Sequence, residues 1–127
     1  MNLINSCRPQ VVLILDTRTR VEATDPIIKR LPYTGRVVAP SFGQAGGIWI
    51  IWNPNEIKAT TLLLAPRMIH VRIEYQSTST PFNFTAVYNY PNPNHQYQVW
   101  QMLEYISNTR SGPWLITGDF NVILYPH

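Results

Sequence analysis

Trp114-Leu-Ile-Thr-Gly-Asp-Phe-Asn121 is an apolar, strand-sized run that turns polar within a few residues. Trp114 to Thr117 reads as a buried strand, and Gly118-Asp-Phe-Asn121 as the corner into which it runs. The residues before it decide how that strand is used. Asn92-Pro-Asn94 opens an amphipathic helix in which Val99, Trp100, Leu103 and Ile106 fall at helical spacing, so this stripe, Trp100 included, is expected to pack in the core. Ser111-Gly-Pro113 breaks that helix, and Phe82 to Tyr88 ahead of it reads as a further strand. A helix that crosses between two strands belongs to a layered fold with both element types.

Further out, most of the chain is strand. Arg67 to Tyr75 alternates: Ile69, Val71, Ile73 and Tyr75 share one face, Met68, His70, Arg72 and Glu74 the other. This predicts a half-buried strand with His70 on its more polar face. Glu56 to Leu64 is a strand after the turn Asn53-Pro-Asn55, and Ser77-Thr-Ser-Thr80 is a polar hairpin loop. Ser41-Phe-Gly-Gln-Ala-Gly-Gly47 is a turn feeding the strand Ile48 to Trp52; it lacks the Gly-Lys-Ser/Thr ending of a phosphate loop, and no helix follows. Val11 to Leu15 is an unbroken aliphatic strand, and Asp25-Pro26 starts a short helix carrying Ile27, Ile28 and Leu31 that Pro32 closes. Strand, helix, four strands, helix, strand describes an α/β fold with an α+β-like mixed sheet.

Composition bounds the rest. The chain has 127 residues, 45% apolar and 13% charged, where about 25% charged is usual. Four Trp, seven Tyr and four Phe exclude a disordered tail, and the length fits one domain, 1–127. A net charge of +3 permits a polyanionic partner without requiring one. The single cysteine, Cys7, excludes an internal disulfide and a multi-cysteine zinc site. No apolar run approaches the roughly 18 residues of a membrane helix, and Met1 to Pro9 lacks the body of a signal peptide. The expected setting is intracellular, nuclear or cytoplasmic, not secreted and without a membrane partner.

Two places carry chemistry-bearing side chains, Asp16 and Gly118-Asp119-Phe120-Asn121, each closing an apolar strand. Polar groups at strand ends face the crevice where such sheets bind ligands. Two carboxylates brought together there repel unless a divalent cation or a shared proton relieves them, and hard oxygens favour Mg2+ or Mn2+ over zinc. The alternative is that both aspartates only begin turns.

Four segments in this order resemble the endonuclease/exonuclease/phosphatase superfamily: Leu13-Ile-Leu-Asp-Thr-Arg18, Gly46-Gly-Ile-Trp-Ile-Ile-Trp52, Thr85-Ala-Val-Tyr-Asn-Tyr-Pro-Asn92 and Pro113-Trp-Leu-Ile-Thr-Gly-Asp-Phe-Asn121. They are most similar to the apurinic-endonuclease-like endonuclease domain of plant LINE-type (non-LTR) retrotransposons, from about Arg8 to Leu124. The resemblance implies a Mg2+-dependent (or Mn2+-dependent) hydrolase of DNA phosphodiesters. Asp16 then takes the place of a metal-binding acidic residue that is usually Glu. Tyr88 matches the tyrosine on the scissile phosphate, Asp119 the aspartate that orients or activates the attacking water, and Asn121 the asparagine holding the phosphate. Arg18 and Arg20 are candidate contacts to the DNA backbone or solvated loop charges.

The same resemblance implies a four-layer α/β/β/α sandwich of roughly twice this length, of which the chain is the N-terminal half. The first-strand asparagine has no clear counterpart in Met1 to Gln10, although Asn2 and Asn5 occur there. The catalytic histidine and its aspartate belong to the other half, and His127 lacks their Ser-Asp context. A single sheet with an uncovered inner face is therefore expected, prone to self-association, with weak or vestigial DNA binding and impaired turnover. The other two readings are a non-catalytic remnant that binds nucleic acid or a partner, and a phosphatase acting on small phosphate esters.

Overall fold

The computed structural model describes residues 11–15, 34–39, 47–76 and 80–121. Its strands pair in two sheets. Strands β1 (Val11–Leu15), β2 (Gly35–Ala39) and β3 (Ile48–Trp52) form an antiparallel sheet in the order β1-β3-β2. Central β3 reads Ile-Trp-Ile-Ile-Trp because both its faces are covered: Ile48, Trp49, Ile50 and Ile51 are all buried. Ile48 and Ile50 face the second sheet, while Trp49 and Ile51 pack with Val12, Ile14 and Val38 on the other side. Strand β2, which the sequence reading passed over, is short and begins Gly35-Arg36. Its glycine has a steric reason, since a Cβ there would run into the Trp52 indole of β3.

The second sheet runs β4 (Ile57–Ala65), β5 (Met68–Tyr75), β6 (Phe82–Tyr88), β7 (Trp114–Asp119), antiparallel until the parallel β6–β7 pair. Parallel neighbours need a crossover, and helix α1 (Pro93–Thr109) supplies it. Asn92 caps α1 by accepting from the Asn94 N–H at 2.9 Å, and a proline opens its first turn. Val99, Leu103 and Ile106 bury the helix against Met68 and Val87 of the sheet.

Two expectations are corrected here. Trp100 is not in the core: it is 42% exposed and lies parallel to the Phe120 ring, with centroids 5.8 Å apart. Nor is His70 on a wet face. It is only 5% exposed, because the face it shares with Met68 is the one α1 covers. The alternation in β5 marks two buried faces, one against each neighbouring layer.

A third correction concerns the layers themselves. The chain supplies strands to both sheets rather than one, and the sheets cover each other. Ala39, Ile48 and Ile50 of the first pack in one cluster with Ile57, Ile69, Val71, Ile73, Phe84 and Ala86 of the second. Among the described residues the uncovered part of the inner face is thus narrowed to the β6–β7 flank, where Leu115, level with Phe84, is exposed. What stays open is the side where β1 and β7 are both edge strands among the described residues. There a cavity of about 470 Å³ is lined by Val11, Leu13, Phe82, Phe84 and Leu115, among others. The short helix expected after Asp25 lies outside the described residues. None of the helices in the described residues is long and apolar enough to cross a membrane.

Candidate active site

Strands β6 and β7 run side by side and end together. Their parallel register pairs Val87 with Gly118 and Tyr88 with Asp119. Of the residues singled out from sequence, Tyr88, Asp119 and Asn121 are thus brought to one corner of the sandwich. Asp16, Arg18 and Arg20 lie outside the described residues. Strand β1, which Asp16 follows, borders the open flank, where Val11 and Leu13 line the cavity with Phe82 and Phe84.

Gly118 is required by this pairing. Its φ is +139°, and a Cβ would collide with the Val87 carbonyl oxygen on the neighbouring strand. The chain then turns sharply. The Asn121 N–H donates to Asp119 Oδ1 at 2.9 Å, a side-chain-closed turn in which Asn121 takes φ +52°. Asn is among the few residues with a side chain that adopt this left-handed conformation readily. Its own amide then reaches back, Nδ2 donating to the Asn89 carbonyl at 2.7 Å.

Residues that the motifs did not single out hold this corner. The Asn89 N–H donates to the Asp119 carbonyl at 2.8 Å, continuing the β6–β7 ladder by one bond. From the first turns of α1, Gln96 Nε2 donates to both the Tyr90 carbonyl (2.9 Å) and the Asn121 carbonyl (3.0 Å), stapling the two strand exits together. Asn89 is fully buried; its Oδ1 accepts from the Tyr90 N–H, and its Nδ2 has no hydrogen-bond partner. On the other side of β6, the Arg67 guanidinium lies over the Tyr90 ring at 4.4 Å and the Tyr88 ring at 5.5 Å. Sequence carried a partial signal for these: Asn89 and Tyr90 fall inside the Tyr-x-x-Pro segment, whereas nothing in the order of residues announces Gln96 or Arg67.

Chemically, the corner offers a carboxylate and an amide on a rigid turn. Asp119 is exposed, and one of its oxygens is engaged by the Asn121 backbone. With Nδ2 turned to Asn89, Asn121 keeps its Oδ1 as an acceptor. Among the described residues no group of three or more His, Cys, Asp or Glu could enclose a metal ion. Mg2+ does not need such a cage, for it keeps several waters and takes one or two carboxylates. The hard oxygens of Asp119 and Asn121 fit that chemistry.

Residues 1–124 match the Endonuclease/Exonuclease/phosphatase family. The structure is similar to the human Nocturnin catalytic domain with bound sulfate (TM-score 0.72, 15% identity, covering 96% of this chain and 55% of that one). It is similar too to Danio rerio TDP2 complexed with a single-strand DNA product (TM-score 0.66, 11% identity, 96% and 52% covered). A third likeness is to ANGEL2, a 2',3'-cyclic phosphatase, in complex with adenosine-2',3'-vanadate (TM-score 0.61, 9% identity, 96% and 42% covered). The chain spans about half the length of the solved structures it matches. No curated protein matches it.

Proposed function

The chain belongs to the endonuclease/exonuclease/phosphatase family, and on that premise we propose that it is the Asp119-bearing part of a metal-dependent phosphodiesterase that hydrolyses DNA, of the LINE-retrotransposon endonuclease type. The observation that carries this reading is the corner itself: Tyr88 and Asp119 are register partners, and Asn121 closes a hydrogen-bonded turn on the Asp119 carboxylate. TDP2, of the same fold, holds a single-strand DNA product. The Tyr-x-x-Pro and Gly-Asp-Phe-Asn segments support the retrotransposon assignment.

In this reading Tyr88 donates its hydroxyl proton to a phosphate oxygen. The Asn121 amide holds another oxygen of the same phosphate. The Asp119 oxygen not engaged by the Asn121 N–H accepts a proton from the attacking water and aligns it for in-line displacement. Because the Asp119 turn is fixed by Gly118, Asn89 and Gln96, little reorganisation is needed as charge builds on the phosphate. Asp16 would hold Mg2+ or Mn2+, which when bound stabilises negative charge on the phosphate and leaving oxygen.

A second reading is favoured by the span of the chain, about half that of its structural neighbours. In it the 127 residues alone bind DNA or metal weakly, with impaired or no turnover. Supercoiled-plasmid nicking, with Mg2+ or with EDTA, separates the two. The catalytic reading expects metal-dependent nicking that Asp119→Ala abolishes. Equal nicking by both proteins, or none from folded protein, leaves the binding remnant. Hydrolysis of a soluble phosphate ester without nicking points instead to a phosphatase.

A further inference from the structure

Arg67 stands one residue before β5, and the Tyr88 N–H donates to its carbonyl at 3.0 Å. Tyr88 is in turn the register partner of Asp119. Arg67, Tyr88 and Asp119 therefore form one row across three strands, and residues opposed in a row send their side chains to the same face. That face is the one between the sheets, where Tyr88 packs at the rim of the shared core.

The guanidinium is held by aromatic rings rather than by a carboxylate. It lies 4.4 Å from the Tyr90 centroid and 5.5 Å from that of Tyr88, and among the described residues no acidic group pairs with it. A guanidinium placed over aromatic rings carries five N–H donors in one plane, none of them committed to a carboxylate by that contact. The result is a cation braced by two rings whose donor fork no described residue takes up, in a chain that has only 10 Lys and Arg. Bidentate recognition of phosphate is what that geometry serves best.

Position says which phosphate. Arg67 and Asp119 stand on opposite sides of β6, two strand spacings apart, roughly 9–10 Å between backbones. With the reacting phosphate at Tyr88 and Asn121, that spacing leaves Arg67 within reach of a neighbouring phosphate on the same strand. We propose that Arg67, braced by Tyr88 and Tyr90, binds the phosphate next to the reacting one, so that this site takes a polynucleotide strand and discriminates against isolated phosphate esters. The inference rests on the corner being a phosphate site, as read above.

The test is fluorescence anisotropy of a short labelled single-stranded DNA over a range of salt, in EDTA so that no turnover intervenes. Arg67→Gln is expected to weaken binding roughly tenfold at low salt, the scale of one charge-assisted contact. It should also flatten the slope of log K against log salt by about 0.7, one phosphate contact on a single strand. Arg67→Lys should restore the slope but only part of the affinity, because an ammonium lacks the fork. In competition, thymidine 5'-monophosphate should displace the wild-type probe far less well than a dinucleotide with two phosphates. Unchanged affinity and slope in Arg67→Gln would overturn the proposal, as would equal competition by the two nucleotides. Should Arg67→Gln lose its circular dichroism, the wild-type competition series decides. Failure of the nuclease reading shows separately, in nicking with Mg2+.

Discussion

Asn121 does two jobs that a single substitution confounds and a pair of substitutions separates. Its backbone sits at φ +52°, and its amide donates to the Asn89 carbonyl. Asn121→Gly removes the amide but suits the left-handed conformation; Asn121→Ala removes the amide and strains the backbone as well. Thermal unfolding should therefore find the alanine variant less stable than the glycine variant by about 1 kcal/mol. Both should lose whatever Mg2+-dependent nicking the wild type shows. Equal stabilities would mean that the corner relaxes freely, and would remove the argument that Asp119 is held on a preset turn. At this scale the sequence was informative but incomplete. The order Gly-Asp-Phe-Asn drew attention to these residues, whereas the local reason for each emerges only in three dimensions. Gly118 is needed because the Val87 carbonyl passes where a Cβ would go, and that carbonyl lies more than thirty positions away in the chain.

Strand β5 shows how an element can be read correctly and its surroundings missed. The alternation of Met68 to Tyr75 was plain, but alternation does not say whether a polar-looking face meets water or a helix. Here α1 covers it, and His70 is buried with a satisfied ring: the Trp114 indole N–H donates to Thr85 Oγ1 at 2.8 Å, and Thr85 can then donate to His70 Nδ1 at 2.7 Å. Burial lowers the His70 pKa from 6.5, outweighing a hydrogen bond to the Phe84 backbone. The unfolded chain therefore binds the proton more readily than the folded one, and stability rises with pH across that window. The contribution is fully present above about 6.5 and is lost as pH falls through that value toward the lower, folded pKa. Thermal midpoints should drop between neutral and mildly acidic pH, and His70→Gln should flatten the drop. A pH dependence identical in the two proteins would mean that other groups set it. The same blindness to neighbours explains Trp100. Its helical phase sits at the margin of the buried stripe, so it stacks on Phe120 at the surface instead of entering the core.

For the whole molecule, the mixed α/β architecture was legible from the alternation of strand and helix patterns, but its division into two sheets was not. Hydrophobic runs report that a strand is buried without saying against which partner, and β3 and β5 look alike in that respect. The consequence for association changes accordingly. The two sheets cover much of each other's inner faces, so the bare face expected from sequence is narrowed to one flank among the described residues. The open flank remains, with β1 and β7 as edges around an apolar cavity. Leu115, on edge strand β7, lines that cavity and is 52% exposed. Unpaired edges beside apolar surface template contacts with other chains, and a lysine on such an edge opposes them. Light scattering should show association of the 127-residue chain growing with concentration, and Leu115→Lys should suppress it at a stability cost within about 1 kcal/mol, since a half-exposed leucine loses little on replacement. A wild-type chain that stays monomeric as concentration rises, or a lysine variant that associates equally, would place the cause away from this flank.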